Sequence, residues 1–381
     1  MTGGGRVWRS GRVRRAGWTV GVLLGLAMAV AACAPTTAIA PTAPPTAQSA
    51  PPTAAPAGGT KTVKLGASNA GASNGPIYVA DAMGYFADQG IALDEVFFPS
   101  ASEVIPALSK GDVDAAVVGI NPATLNALAG NFNLHLVADG GSQPTGYPVN
   151  VFVVAKEVAG AIHGPADLRG RKIATTPPGP GTASGFMLSR YLAQASLSLS
   201  DVDVVPLNFP DQVAALANHS IDMALMAEPF ATRTIQSGGG VLLVTGDQVV
   251  PGQQVVGMIY TDRFATSQRD DGVRFMVAYL RGLRAYLGAF STGEQRDRVI
   301  QILVDKTDLK DPQLWMAMYP TGANPDGQLN LQSMADSQAY FHQLGLVQNP
   351  AELSKVIDTS FLQAALTSLG PAPTPAPPKR G

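Results

Sequence analysis

The order of predicted strands and helices occurs twice in this chain, and this repeat limits the fold more than any other feature of the sequence. In the first half, Thr62–Ala67 predicts a buried strand, Pro76 to about Gln89 a helix and Ile91–Phe98 a second strand. The second half has the same order, with a strand at Lys172–Thr175, a helix at Gly185–Ser196 and a strand at Val202–Leu207. A short helix and a third strand complete each half.

The two halves also match residue by residue. Ala107 stands seven positions before Asp114, and Ala215 stands seven positions before Asp222, so the same offset separates the two alanines and the two aspartates. This offset is too long for a solenoid repeat and favours two similar α/β lobes. Because both aspartates come directly before an apolar strand, we expect them to hold a turn rather than to contact a ligand.

Strands that alternate with helices predict a mainly parallel sheet in each lobe, with ligands bound beyond the carboxyl ends of the strands. In this chain those ends are the loops 68–74, 99–102, 119–121, 176–184, 209–211 and 227–229. Val149–Ala155 and Val255–Tyr260 are the predicted crossings between the lobes, and they form a two-strand hinge. Lobe 1 is therefore expected at 61–150 and 255–369, and lobe 2 at 151–254.

The segment that precedes Lys61 is typical of an exported protein with a lipid anchor. Five arginines precede an apolar run at Gly17–Ala32, which predicts a signal peptide over 1–32. Val30-Ala31-Ala32-Cys33 matches a lipobox, in which Cys33 would be lipidated. The alternative is an ordinary signal peptide. The proline-rich stretch 33–60 predicts an extended tether, and the stretch 370–381 predicts a disordered proline-rich tail.

Charge and composition exclude several classes of protein. The net charge of −2 becomes −7 without the five arginines that precede Cys33, so the mature chain lacks the basic surface that nucleic-acid binding requires. Cys33 is the only cysteine, which excludes a disulfide or a thiolate metal site in the folded part. The four histidines stand apart from one another, and no metal or cofactor is expected.

Four stretches of the chain resemble the solute-binding lipoproteins of ABC importers, in the subgroup that serves thiamine precursors, sulfonates, nitrate and riboflavin. They are Pro76–Ala80 with Gly84-Tyr85-Phe86 and Gly90-Ile91; Ala107-Leu108 with Gly111–Asp114; Asp167–Ile173; and Asp222 with Glu228-Pro229-Phe230. The resemblance implies a periplasmic-binding-protein-like clamshell that closes on its ligand and docks on a membrane permease. It further implies a monomer without enzymatic activity, held by its lipid at the outer face of the cytoplasmic membrane.

The residues of the strand-end loops indicate the kind of ligand. No loop contains Lys or Arg, whereas Glu228 and Asp211 are acidic and several neighbours are aromatic. A neutral heteroaromatic ring fits this set better than an anion, and within the family's repertoire this favours riboflavin, then a thiamine-precursor pyrimidine. A sulfonate or nitrate on bare helix N-termini is the alternative. The candidate ligand-binding residues are Asn74, Tyr78, Ser100, Asn121, Tyr147, Thr182, Ser184, Phe209, Asp211 and Glu228.

Two alternatives concern single residues. Glu228 could instead cap the helix that follows it. Gly71-Ala72-Ser73-Asn74-Gly75 matches the G-x-S-x-G pattern, so a secreted serine hydrolase that uses Ser73 is the alternative from another class of protein. The pattern is short and arises often by chance, and no earlier strand is available to supply the oxyanion hole.

Overall fold

The computed structural model describes residues 59–67, 72–98, 101–130 and 133–379, which all lie in the unit Thr53–Gly381. The predicted signal peptide, Cys33 and the predicted tether up to residue 58 lie outside the described residues.

The described ranges contain ten strands and fifteen α-helices. The strands are β1 Lys61–Ala67, β2 Ile91–Phe97, β3 Ala115–Gly119, β4 Leu134–Ser142, β5 Val151–Ala155, β6 Lys172–Thr175, β7 Asp203–Pro206, β8 Met223–Met226, β9 Gly240–Thr245 and β10 Gln254–Thr261. The helices are α1 Gly75–Ala82, α2 Tyr85–Asp88, α3 Ala101–Lys110, α4 Pro122–Ala129, α5 Ala183–Ala193, α6 Phe209–Ala217, α7 Phe230–Gln236, α8 Gly246–Val249, α9 Asp262–Thr266, α10 Arg269–Ser291, α11 Arg296–Lys306, α12 Pro312–Ala317, α13 Leu331–Gln343, α14 Leu353–Val356 and α15 Ser360–Leu369.

The strands form two five-stranded sheets with the same topology. Their orders are β2-β1-β3-β10-β4 and β7-β6-β8-β5-β9. In each sheet four strands run in one direction, and the strand that follows a crossing, β10 or β5, runs against them. The predicted α/β class, with one helix-flanked sheet in each lobe, is confirmed.

Both faces of each sheet are covered, as the continuous apolar strands suggest. All five residues of β5 are buried, with Phe152 and Val154 in one apolar cluster and Val151, Val153 and Ala155 in another. Because successive side chains of a strand point to opposite faces, the two clusters lie on the two faces of the second sheet.

The single helix predicted from Pro76 to Gln89 is wrong in one respect, because the structure divides it into α1 and α2. Between them Gly84 has a φ of +79°, in the left-handed region that favours glycine. The apolar periodicity continues across this turn, since Phe86 packs into the same core as Ile77 and Val79.

The predicted crossings Val149–Ala155 and Val255–Tyr260 are wrong in position, because most of these residues form β5 and β10 inside the sheets. The chain passes between the sheets just before these strands, at residues 143–150 and 246–253, and these two crossings are bonded to each other. Gln143 donates its backbone N–H to the carbonyl of Gln253 over 3.1 Å, and its side-chain amide to Oε1 of the same residue over 3.0 Å. Gly146 donates its N–H to Oδ2 of Asp247 over 2.7 Å. The crossings therefore behave as one hydrogen-bonded ribbon between the lobes.

The proline-rich end differs from the expected disordered tail over residues 371–379. Ala372 donates its N–H to Oδ1 of Asp326 over 2.8 Å, and Lys379 donates its N–H to the carbonyl of Phe290, also over 2.8 Å. Composition alone predicts an extended, mobile chain here. Contacts with residues far away in the sequence give this extended chain a defined position.

Within the described ranges, none of the helices combines the length and the apolar character that crossing a lipid bilayer would demand.

Candidate ligand-binding cleft

Three hydroxyl groups meet where β6 ends and α5 begins. Oγ1 of Thr182 accepts the N–H of Gly185 over 3.1 Å and donates to the carbonyl of Gly179 over 2.8 Å, so this side chain caps α5. Oγ of Ser184 lies 2.9 Å from Oγ1 of Thr182 and 3.3 Å from Oγ1 of Thr176. The structure thus brings the predicted residues Thr182 and Ser184 together and adds Thr176.

Each hydroxyl has one hydrogen to donate, and this fixes the direction of the hydrogen bonds among the three groups. The hydrogen of Thr182 is used on Gly179, so Ser184 donates to Thr182 and Thr176 donates to Ser184. Thr176 stands at the open end of this chain and is half-buried. It is the hydroxyl that can rotate its hydrogen towards a ligand without breaking the cap of α5.

Glu228, at the end of β8, caps α7 and touches the other lobe. Its Oε2 accepts the N–H of Thr232 over 3.0 Å, and its Oε1 accepts the hydroxyl of Thr232 over 2.8 Å. Oε1 also accepts the backbone N–H of Tyr319 over 3.2 Å. A carboxylate at a helix N-terminus is favourably placed. These contacts support the capping role for Glu228 and add a bond between the lobes.

The lobe 1 candidates Asn74, Tyr78 and Asn121 have partners of their own. Oδ1 of Asn121 accepts the N–H of Thr124 over 3.0 Å and caps α4. Nδ2 of Asn74 donates to Oη of Tyr78 over 3.4 Å. Tyr78 is only 1% exposed, and its burial raises the pKa of the phenol to about 12. Tyr78 therefore acts as a neutral partner of Asn74.

Tyr147, Asp211 and Phe209 are the other candidates that the structure describes. Tyr147 is fully buried in the core of lobe 1, where burial raises its pKa to about 12 and its hydroxyl donates to the carbonyl of Ala376 over 3.1 Å. Asp211 is exposed in the first turn of α6. Phe209 stacks on Phe230 with ring centroids 5.5 Å apart. Ser100 lies outside the described residues.

Lobe 1 reaches the hydroxyl cluster through α13. Tyr340 donates its hydroxyl to the carbonyl of Pro180 over 2.9 Å, and its ring meets the edge of Phe186 at a centroid distance of 5.3 Å. The local sequence pattern did not predict that Tyr340 and Tyr319 contact lobe 2. The only local signal is that turn-forming residues follow Tyr319. The strand-end loops of lobe 2 therefore touch lobe 1 at two places.

The hydrolase alternative lacks a base. Ser73 is exposed just before α1, and all four histidines are bonded elsewhere. His135 pairs with Asp262 and His219 with Glu157, while the rings of His163 and His342 contact backbone carbonyls. The hydrolase alternative is not supported. In the parts of the chain that the structure describes, no three His, Cys, Asp or Glu side chains are grouped to hold a metal ion.

Comparison with known proteins identifies relatives along much of the chain. A protein of Brachyspira hyodysenteriae, provisionally named an ABC transporter periplasmic binding protein, is 26% identical over 205 residues, which cover 51% of this chain and 57% of that protein. A provisionally named aliphatic sulfonates-binding protein of Escherichia coli is 28% identical over 151 residues, which cover 40% of this chain and 44% of that protein. The chain thus spans about half the length of these curated relatives.

A solved structure shows the same fold. The alkanesulfonate-binding protein SsuA of Xanthomonas axonopodis pv. citri, bound to MOPS, superposes with a TM-score of 0.61 at 20% identity, covering 79% of this chain and 99% of that one. The profile of the NMT1/THI5-like family matches residues 72–288, more than half of the chain. Together with the repeated topology of the two helix-flanked sheets, this match confirms the family resemblance. The chain belongs to the NMT1/THI5-like family.

Proposed function

We propose that this protein is the extracytoplasmic solute-binding component of an ABC importer. The observation that carries the proposal is the meeting of two equivalent sheets at their strand ends, where Glu228 and Pro180 of lobe 2 bond to Tyr319 and Tyr340 of lobe 1. A ligand between such lobes would contact both of them only in the closed form, so binding would shift the population towards closure. The name of the Brachyspira relative supports the same role.

The favoured ligand class is a small sulfonate-type oxyanion. The acidic Glu228 argued against an anion in the sequence, but its carboxylate accepts bonds from Thr232 and Tyr319, two of them from backbone N–H groups, so it is engaged within the protein. At the start of α5, Thr182 accepts the N–H groups of Gly185 and Phe186, so those of Ala183 and Ser184 are the N-terminal N–H groups that a ligand could bind, beside the hydroxyls of Thr176 and Ser184. Hydroxyls and backbone N–H groups can hold a singly charged oxyanion without Lys or Arg. Two of the relatives carry sulfonate binding in their names.

Riboflavin, or a thiamine-precursor pyrimidine, is the second candidate. The stacked pair Phe209 and Phe230 begins α6 and α7 at the strand-end side of lobe 2, and both rings are half-buried. A heteroaromatic ring could extend this stack. Tyr78 and Tyr147 give this candidate less support, since both are buried with partners of their own.

Delivery to a permease requires that the protein stay near the membrane. Lipidation of Cys33 and the proline-rich tether would hold the folded lobes at the outer face of the cytoplasmic membrane. We infer that the protein acts there as a monomer with the membrane permease as its partner. Mass spectrometry of the protein from membranes would find a diacylglyceryl group on Cys33, and an unmodified cysteine there would contradict the anchor.

Thermal unfolding of the full chain with MOPS, nitrate or riboflavin tests the ligand class. A bound ligand at one hundred times its dissociation constant stabilises the chain by about 2.7 kcal/mol, so the binder is identified by its shift in Tm. We expect a shift with MOPS. A shift with riboflavin alone would favour the second candidate, and no shift with any of the three would contradict both ligand assignments.

Thr176→Val is the matched site variant because it removes the hydroxyl and keeps the shape of the side chain. We expect affinity for MOPS to fall about tenfold, from the loss of a hydrogen bond to a charged ligand, with only a small loss in the Tm of the free protein from the 3.3 Å contact with Ser184. Thr367→Val, on the exposed face of α15, is the control and should leave the affinity unchanged. Equal affinity in the two variants would exclude Thr176 from the site.

A further inference from the structure

The proline-rich residues 371–379, here called the C-terminal strap, are fixed to lobe 1 at both ends. Before the strap begins, Arg284 donates to the carbonyl of Gly370 over 2.7 Å, and Ala372 donates its N–H to Asp326 over 2.8 Å. At its far end, Lys379 donates its N–H to Phe290 over 2.8 Å and accepts Nη2 of Arg296 over 3.0 Å. The strap therefore spans the distance between α15 and the end of α10.

The middle of the strap lies on the first crossing between the lobes. Tyr147 donates its hydroxyl to the carbonyl of Ala376 over 3.1 Å. A Cβ on Gly146 would lie 2.8 Å from Cδ of Pro378 and 3.1 Å from Cβ of Pro377, so only glycine allows this close approach. Gly146 also has a φ of +88°, which few other residues adopt.

The same residues connect the strap to the second crossing. Gly146 lies against the strap and donates its N–H to Oδ2 of Asp247 in α8 over 2.7 Å. When two lobes open, the dihedral angles that change are those of a few hinge residues. A stiff proline-rich segment packed on those residues opposes that change.

We propose that the C-terminal strap is a brake on the hinge that holds the lobes towards the closed arrangement. With the strap docked, Gly146 and Tyr147 are tied to the body of lobe 1, and the bond to Asp247 transmits this restraint to the second crossing. With the strap removed, the hinge residues move more freely and the open form becomes more populated. The proposal depends on the proposed function only in requiring lobes that move, and not on the identity of the ligand.

Distances between the lobes, measured without ligand, test the proposal. The full chain would carry Cys33→Ser and spin labels at Phe97→Cys and Asn208→Cys, two exposed positions near the carboxyl ends of the edge strands β2 and β7. Deleting residues 371–381 should increase the open fraction about fivefold, which corresponds to the loss of about one net hydrogen bond. Identical distance distributions with and without the strap would overturn the proposal.

A second measurement tests whether the strap lies against Gly146, as the proposal requires. Gly146→Ala is strained by its φ in both chains but collides with the strap only in the intact one, so it should lower Tm less in the chain that lacks 371–381. Equal losses of Tm would show that the strap does not occupy this place. Such a result would overturn the proposal.

Tyr147→Phe keeps the proposal testable if the shortened chain does not fold. It removes the hydroxyl that binds Ala376 and that also contacts the side chain of Ser291, and we expect part of the same increase in the open fraction. Tyr85→Phe, on α2 and remote from the crossings, is its control and should leave the distances unchanged. An equal response of the two variants would count against the strap. These distances are measured without ligand, so their result does not depend on whether the protein binds MOPS, nitrate or riboflavin.

Discussion

Two aspartates perform the same task in the two lobes. Oδ2 of Asp114 accepts the N–H of Lys64 over 3.0 Å, and Oδ2 of Asp222 accepts the N–H of Lys172 over 2.8 Å. The two lysines are separated by the same offset as the two aspartates, and each aspartate also bonds to an arginine, Arg263 or Arg171. The predicted structural role of this pair is confirmed, and it lies at the opposite ends of the strands from the cleft.

Replacing these aspartates by alanine should destabilise the two lobes unequally. The side chain of Asp114 is 9% exposed and that of Asp222 is 21% exposed, so the N–H left without an acceptor is harder for water to reach in lobe 1. We expect a loss of about 2 kcal/mol for Asp114→Ala and about 1 kcal/mol for Asp222→Ala, measured by urea unfolding. Asparagine at either position retains one acceptor oxygen, so it should lower the free energy of unfolding by less than alanine does. A larger loss in lobe 2 than in lobe 1 would contradict this account.

Asp139 makes stability depend on pH. It is completely buried, which raises its pKa from 3.8 to about 6, although Ser142, Asn324, Gln254 and Gly141 all donate to it. Between these two values the folded protein binds more protons than the unfolded chain. The contribution of Asp139 to the free energy of unfolding therefore falls as pH rises from about 4 to about 6, then stays level.

Asp139→Asn tests this assignment because the amide does not titrate. Urea unfolding across this pH range should show a flatter profile for the variant, whatever its absolute stability, since Asn324 would face an amide where it now faces a carboxylate. Parallel profiles for the two proteins would mean that the pKa of Asp139 is the same in the folded and unfolded states, which would contradict the shift caused by burial.

At the scale of elements, α1 and α10 pack closely enough to require glycine. A Cβ on Gly282 would collide with Cβ of Ala80 and would lie 2.6 Å from the carbonyl oxygen of Pro76. The opposing backbone of α1 cannot yield as a flexible side chain would. The apolar periodicity of α10 predicts its inner face, but this close approach depends on the position of a second helix.

Gly282→Ala and Gly288→Ala should therefore have opposite effects within one helix. At Gly288 the nearest atom to a new Cβ is Oε2 of Glu294 at 3.8 Å, so alanine fits and should stabilise by about 0.5–1 kcal/mol through its helix propensity. At Gly282 the collision should destabilise by about 1–3 kcal/mol. Thermal unfolding measures both, and a stabilising Gly282→Ala would disprove the close contact.

At the scale of the whole molecule, the two lobes touch through few polar contacts. Tyr340 in α13 bonds to Pro180, and Tyr319 bonds to Glu228. In both cases one partner of the hydrogen bond is a backbone group. Such contacts can break and re-form as the lobes move, whereas the ribbon of the two crossings stays bonded within itself.

Tyr340→Phe should shift the protein towards the open form without unfolding a lobe. The variant loses the 2.9 Å bond to Pro180 and keeps the ring contact with Phe186. We expect about a fivefold larger open fraction, seen as a larger radius of gyration in small-angle scattering, and a nearly unchanged Tm. Tyr191→Phe, within the core of lobe 2, is the control, and an equal change in both variants would rule out a role for Tyr340 in closure.

The sequence by itself determined the repeated topology, the position of the strand-end loops, and the task of Asp114 and Asp222. These features depend on local periodicity and on residues a few positions apart, which a chain retains wherever it folds. Only the tertiary structure decided that Tyr147 is buried, that Glu228 bonds across to Tyr319 and that the proline-rich end lies on the hinge. Each of these depends on a partner far away in the sequence, because burial and hydrogen bonding are properties of the neighbours that folding brings together and not of the residue itself.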